Sequence, residues 1–378
     1  MRIGIDACAL STWRAGTTRA VENVVRELVR VDEHNEYFLY SNHDFALPVE
    51  NGRWQKRIDS RFGFLPGAIW IQTRGKKMIL GDRVNAFWAT AHILPLGLPP
   101  AIRKVLTVHD VVWVRYPETM ATYTRMVHRL LAGRSVGEAE TIIAVSESTK
   151  RDLVALLNVP AHKVKTIHHG VSSLFRPHDV AVARRYIAAK YGVSETYICA
   201  VGTVEPRKNL STLVEAVGIL RKRAYFPFQL VIAGGKGWKN SGVHRSVARA
   251  GLSEDDVKSL GFVPEEDLPL LYSGASVFVF PSIYEGFGLP LVEAMACGVP
   301  IVASDVSSIP EVVLDAGLLV PPHEPEAFAE AILRAMNDCN LRSSLITKGI
   351  ERARLFRWDK AAREVLQVFN QLVSPRKI

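Results

Sequence analysis

The chain has 378 residues, a formal net charge of +9 and a pI near 9.4, with 48% hydrophobic and 22% charged residues. The length exceeds one small core and predicts two domains of soluble globular composition. No window approaches the roughly eighteen consecutive apolar residues of a membrane span. The positive charge admits anionic ligands, an anionic membrane surface or nucleic acid. No nucleic-acid-binding signature accompanies it, so no nucleic-acid partner is expected. The cysteines at 8, 199, 297 and 339 show no C-x-x-C spacing, which suits buried thiols in a reducing compartment and offers nothing to zinc.

Residues 1–9 read as a first strand. They lack a charged leader followed by an apolar run, so a cytoplasmic location is expected. Residues 11–18 read as a polar loop. Residues 19–31 read as a helix with Val21, Val24, Val25, Leu28 and Val29 on one face. Strand, loop and helix in that order open a doubly wound α/β domain, whose ligands gather at the carboxyl ends of the strands. Residues 36–41 form the second strand, and 42–65 are expected to be irregular. Residues 69–80 mix Trp70 and Ile71 with Arg74, Lys76 and Lys77, which fits a basic interfacial helix or an ordinary packed one.

Short strands follow at 86–89 and 104–108. His109 stands at the end of the latter, where a strand delivers a side chain to a ligand crevice and an imidazole can move a proton near neutral pH. A core or capping histidine is the alternative. Residues 122–138 form a basic helix with Arg125, His128, Arg129 and Arg134, turned to an anionic acceptor, to lipid or to water. After a strand at 141–145, Ser146 caps a helix that has Thr149 in its first turn. Another strand is expected at 164–167.

Residues 173–195 read as a connection. A strand at 197–201 runs into Gly202-Thr-Val-Glu-Pro-Arg207-Lys208, and a helix covers 211–223. Two cations in a turn before a helix can neutralise a diphosphate, the guanidinium in bidentate fashion; an isolated pair of this kind is ordinarily a solvated turn. A strand is expected at 228–233, before Gly234-Gly235, and residues 257–261 lead to Phe262-Val263. A buried strand at 275–280 leads into PSIYEGFGLPLVEAMACGVPIVAS, residues 281–304. Gly286 and Gly288 allow backbone N–H groups to approach a ligand. A helix beginning near Pro290 carries Glu293 in its first turn and ends at Gly298. Its N-terminus is a natural anion site. Carboxylates beside such a site suit a ligand that also bears hydroxyls, a ribose for Glu293 and a sugar for Glu285. The plain alternative has Glu293 complementing the helix dipole and Glu285 in solvent. A strand at 301–303, a further one from 318, and helices at 324–336 and 358–373 complete the chain.

The string Glu285-Gly-Phe-Gly-Leu-Pro-Leu-Val-Glu293-Ala-Met-Ala-Cys-Gly-Val-Pro-Ile-Val-Ala303 resembles the signature of family 4 glycosyltransferases, retaining enzymes marked by two glutamates with seven residues between them. His109-Asp110, His169-Gly170-Val171, the run from Gly202 to Asn209, and Asp305 to Glu311 extend the resemblance. It spans essentially the whole chain and thins between 42 and 100. Residues 108–118 look like bacterial mannosyltransferases. Ala15-Gly16-Thr17-Thr18-Arg19 departs from the family's usual Gly-Gly-(Ile or Val)-Gly-Arg.

The resemblance implies an α/β protein of the GT-B fold, with two Rossmann-like doubly wound domains facing a central cleft. Residues 1–180 would form the acceptor-side domain and 190–356 the nucleotide-sugar domain, with 357–378 packing back on the first. It implies transfer of a hexose from a nucleotide-diphosphate sugar, with mannose from GDP-mannose favoured. The acceptor would be a saccharide or lipid-linked saccharide, and the positive charge would suit peripheral contact with an anionic membrane. No metal or other cofactor is implied. His109, Glu285, Arg207 and Lys208 would be catalytic. Gly16, Thr17, Gly202, Val263, Gly286, Phe287, Gly288, Leu289 and Glu293 would contact the donor. A non-catalytic nucleotide-sugar scaffold, a sugar-nucleotide epimerase and a pyridoxal-dependent phosphorylase are the alternatives. No dinucleotide-binding or P-loop fingerprint supports a dehydrogenase or an NTPase.

Overall fold

A computed structural model describes residues 1–11, 16–46, 52–223, 228–235, 237, 241–253 and 255–373. Buried apolar runs form two sheets in which every pairing is parallel. Strands covered on both faces need such continuous apolar runs.

The first sheet contains β1 (Arg2–Asp6), β2 (Glu36–Ser41), β3 (Trp54–Ile58), β4 (Ala86–Ala89), β5 (Arg103–Val108), β6 (Thr141–Ala144) and β7 (Val164–Thr166). Its order is β3-β2-β1-β4-β5-β6-β7, so the winding reverses between β1 and β4. The second contains β8 (Tyr197–Val201), β9 (Gln229–Ala233), β10 (Val257–Gly261), β11 (Val277–Phe280), β12 (Ile301–Ser304) and β13 (Gly317–Val320). Its order is β10-β9-β8-β11-β12-β13, and the reversal falls between β8 and β11. The chain divides into two units, Met1–Gly170 with Arg357–Ile378, and Val171–Phe356.

Several elements depart from the sequence expectation. β3 lies within the stretch expected to be irregular. It is an edge strand, and only Trp54 is buried, stacked 3.9 Å from Tyr37 between ring centroids. The half-buried remainder has no apolar alternation to read, and pairing with β2 supplies its order. The first helix runs Gly16–Val31, so Gly16, Thr17 and Thr18 belong to its first turn rather than to a loop; Ala15 lies outside the described residues. The helices expected at 69–80 and 122–138 each carry a π-helical turn at mid-length, Ile71–Gly75 and His128–Ala132. The connection contains a helix, Val180–Tyr191, stopped by Gly192 in the left-handed region. Helices at Ser241–Ala250 and Cys339–Ala353 are additional.

In the first unit the helix Trp358–Val373 packs on the helix Gly16–Val31, and Phe369 sets its ring edge-on to Trp88 at 6.1 Å. In the second unit Leu213, Val217, Leu230, Val277, Val279 and Phe328 are fully buried in one core. Truncating one such leucine to alanine costs about 2–5 kcal/mol. Among the described residues no helix is long and apolar enough to cross a membrane.

Candidate active site

β8 and β11 pair in parallel, Val277 opposite Ile198 and Phe278 opposite Cys199. Their carboxyl-terminal segments therefore emerge side by side at the reversal of winding, the place where open α/β sheets hold ligands. The segment after β8 carries Gly202, Arg207 and Lys208, and the segment after β11 carries Glu285. Pro206–Lys208 form a short 3₁₀ turn that ends at Asn209 in the left-handed region. Asn209 Nδ2 donates to the carbonyls of Pro281 (3.0 Å) and Pro322 (2.6 Å), tying this turn to the segment after β11. The Ile283 N–H donates to Arg207 O at 2.9 Å.

Within that frame Arg207 Nη1 donates to Glu285 Oε2 at 2.8 Å and to Tyr284 O at 2.7 Å, while its Nη2 donates to Glu205 Oε1 at 2.7 Å. Lys208 Nζ donates to Glu285 Oε1 at 2.6 Å and lies 5.1 Å from the centroid of Phe280. Glu285 is only 6% exposed, so the solvated alternative does not hold. Burial alone would raise its pKa, but the charges of Arg207 and Lys208 prevail and bring it to about 2. The carboxylate is thus held ionised between two cations that its own loop did not supply.

The backbone after Glu285 is fixed by two serines. Ser307 Oγ accepts from the Glu285 N–H at 2.9 Å, and Ser308 Oγ donates to the carbonyls of Glu285 and Phe287. Gly286 and Phe287 are buried, the latter edge-on to Phe356. Gly288, at φ +94°, precedes the helix Leu289–Ala296. That helix starts at Leu289, so Glu293 falls in its second turn instead of its first. Glu293 is 2% exposed and accepts from Tyr272 Oη at 3.0 Å. Val263 is buried just beyond β10, two strands from β8. Glu205, Asn209, Tyr272, Ser307 and Ser308 were not singled out in the sequence. Glu205 and Asn209, beside Arg207 and Lys208, carried a local hint; Tyr272, Ser307 and Ser308 act across longer separations.

The first unit holds His109, 9% exposed, with Nε2 2.8 Å from Thr90 O. A carbonyl only accepts, so Nε2 carries the hydrogen and Nδ1 the lone pair. The rings of His92 and His169 each lie 5.5 Å from that of His109, and His128 lies 5.3 Å from His92. Burial lowers the pKa of His109, and lowers those of His92 and His169 further. His92 adopts a left-handed backbone (φ +60°), and its Nδ1 is buried with no hydrogen-bond partner among the described residues. Gly16 and Thr17 lie in this unit, at the start of the first helix, and Gly202 in the other.

Comparison with known proteins agrees with this architecture. Residues 14–173 match the family described as Glycosyltransferase Family 4, and residues 188–352 match Glycosyl transferases group 1. O-antigen chain mannosyltransferase B of Escherichia coli is 35% identical over 274 residues, 71% of this chain and 71% of that protein. Other relatives named as mannosyltransferases and D-inositol 3-phosphate glycosyltransferases are longer in proportion, and the chain spans 28% to 59% of their lengths. Among solved structures, sucrose-phosphate synthase from Thermosynechococcus elongatus superposes with a TM-score of 0.75 at 23% identity, covering 98% of this chain and 99% of that one. HepE from Anabaena, solved with UDP-glucose, gives 0.74 at 17% identity with the same coverages. The fold class is GT-B.

Proposed function

Because this chain belongs to the family 4 glycosyltransferases, we propose that it transfers mannose from GDP-mannose to a saccharide or lipid-linked saccharide with retention at the anomeric carbon. The observation that carries the donor reading is Glu285 clasped between Arg207 and Lys208 at the β8–β11 reversal. Breaking the glycosyl–phosphate bond leaves charge on the departing diphosphate, and fixed cations in a dry site stabilise it as it develops. In our reading Arg207 and Lys208 exchange part of their contact with Glu285 for that diphosphate, and no metal is required. Glu285, already ionised, accepts from the sugar hydroxyls.

Glu293 takes the ribose hydroxyls, with Tyr272 fixing the carboxylate. Val263 and Gly286 to Leu289 border the nucleotide. His109 contacts sugar or acceptor through Nδ1, since Nε2 is engaged. The acceptor attacks from the leaving-group side and the diphosphate receives its proton, which gives retention. The mannosyl assignment draws on the similarity to the Escherichia coli O-antigen enzyme.

The test combines ligand-dependent thermal stabilisation with product analysis. A ligand that binds only the folded protein raises Tm by mass action. GDP and GDP-mannose are expected to raise it, and UDP-glucose to do so less. Products should retain the donor's anomeric configuration by NMR, with turnover unaffected by EDTA. An inverted product, a chelator-sensitive rate or a preference for UDP-glucose would each overturn the corresponding part.

A further inference from the structure

Two guanidiniums meet at one buried serine on the unit Val171–Phe356, away from the site described above. Ser276, 4% exposed, directly precedes β11. Arg184, on the helix Val180–Tyr191, donates from Nε to Gly274 O at 2.9 Å and from Nη2 to Ser276 Oγ at 3.2 Å. Arg342, on the helix Cys339–Ala353, donates from Nη1 to Ser276 O at 2.5 Å. A Cβ at Gly274 would stand 3.3 Å from Arg184 N, so the backbone that carries this arginine is closely seated. The four residues of β11, roughly 13 Å of strand, separate Ser276 from the segment that carries Glu285.

No described carboxylate answers this charge. Neither arginine makes an ion pair with the described residues. Nearby carboxylates are occupied: Asp179 accepts from the Val182 N–H at 2.9 Å, Asp338 from the Leu341 N–H at 3.0 Å, and Asp267 from Lys190 Nζ at 2.7 Å. Burial lowers the Arg342 pKa, and the charge of Arg184 adds to the effect. One cation beside the carboxyl end of the helix Leu268–Gly274 complements its dipole. The second adds repulsion that no described carboxylate offsets. Each guanidinium has five N–H donors, and the bonds above use few of them. No nitrogen of either is buried without a partner, so the spare donors face solvent.

A carboxylate would balance one of these two charges. A phosphate dianion balances both, and its oxygens suit forked donors. We propose that Arg184 and Arg342, tied together by Ser276, bind the dianionic phosphoryl group of a phosphate monoester or of inorganic phosphate. This site is separate from Arg207 and Lys208 and does not depend on the donor reading.

Cys339 reports on it, being exposed and three residues before Arg342 on the same helix face. In the full chain, alkylation of Cys339 by iodoacetamide is followed by peptide mass spectrometry at constant ionic strength, with inorganic phosphate, mannose 6-phosphate or mannose added. Bound phosphate covers the thiol and cancels charges that favour its thiolate, so saturable slowing of about three-fold or more is expected. Mannose should have no effect. R184Q and R342Q should each abolish the slowing, and K208A should keep it, which separates this site from the donor site. R184K and R342K keep the charge but lose the fork; they should weaken the slowing, and they decide the matter if a glutamine variant does not fold. No saturable slowing, slowing by mannose, slowing that survives the arginine substitutions, or slowing lost in K208A would overturn the proposal. Stronger slowing by mannose 6-phosphate than by phosphate would assign the phosphoryl group to a phosphorylated sugar, and equal slowing to phosphate itself.

Discussion

Lys208 Nζ lies 2.6 Å from Glu285 Oε1 although the two residues are 77 positions apart. The contact exists because β8 and β11 are neighbours in the sheet. Glu285 also holds Arg207, and Arg207 holds Glu205, so two carboxylates and two cations form one ion-paired group. Its local charge balances, which lets it remain buried.

The two cations differ in what else they support. Arg207 bonds Glu205, Glu285 and the Tyr284 carbonyl. Lys208 is bonded to Glu285. R207A takes the cation from buried Glu205 and one of two cations from Glu285, and should cost about 3–5 kcal/mol of stability. K208A should cost less stability and lower kcat by roughly 10²–10³, the loss typical of one transition-state donor. Urea unfolding together with steady-state kinetics separates the two. Unchanged turnover in K208A would remove the phosphate role from that lysine.

Acid should act in two steps. Histidines 92, 109 and 169 have folded pKa values below their ordinary range because the fold desolvates them. The unfolded chain therefore takes up protons first, and stability held above about pH 6.5 is lost as pH falls beneath it. Glu285 is depressed to about 2. Its contribution is complete above its unfolded value and lost as pH falls from about 4.5 towards 2, with a ceiling on the order of 3 kcal/mol. Stability measured from pH 8 to 3 should show both declines. E285Q should flatten the lower one and H92N part of the upper one.

Gly234 governs the segment that carries the cations. Its φ is +157°, and a Cβ there would stand 1.9 Å from Gly202 O, a backbone atom that cannot turn aside. G234A should cost about 2–4 kcal/mol, or displace residues 202–208 and abolish the Tm shift by GDP. A Cβ at Gly235 meets nothing within 4 Å among the described residues, so G235A is the matched control. Equal behaviour of the two variants would dissociate Gly234 from the site.

Membrane contact has its own observable. On the helical run 122–138 Tyr123, Met126 and Leu130 are 49%, 54% and 57% exposed. Arg125, Arg129 and Arg134 lie among them and make no ion pair with the described residues. We expect co-sedimentation with phosphatidylglycerol vesicles, little with phosphatidylcholine alone, and a decline at 0.5 M salt. M126S/L130S should weaken it about ten-fold or more. Salt-insensitive binding, or none, would restore these residues to an ordinary solvent face.

The elements most legible in the sequence were those whose signal is local. The strands at 36–41, 86–89 and 197–201 announced themselves as short apolar runs between turn residues. Ser146 was readable as a cap, and its side chain accepts from the Thr149 N–H at 3.0 Å. β3 was not legible, because an edge strand with one buried residue leaves no alternation. Glu285, Arg207 and Lys208 stood out through their turns and neighbouring helices, but nothing in the sequence said that they touch.

The amino-acid sequence by itself determined most strands of the two sheets, the glycine-rich turn at 285–288, and the residue types that suit a sugar nucleotide. Those follow from periodicity and turn chemistry, which act over a few residues. Only the tertiary structure decided that Glu285 is ionised between Arg207 and Lys208, that Tyr272 holds Glu293, and that the rings of His92 and His169 both pack on His109. Strand order and burial set those relationships. Desolvation, nearby charge and hydrogen bonding each move a pKa, and here the partners come from distant parts of the chain.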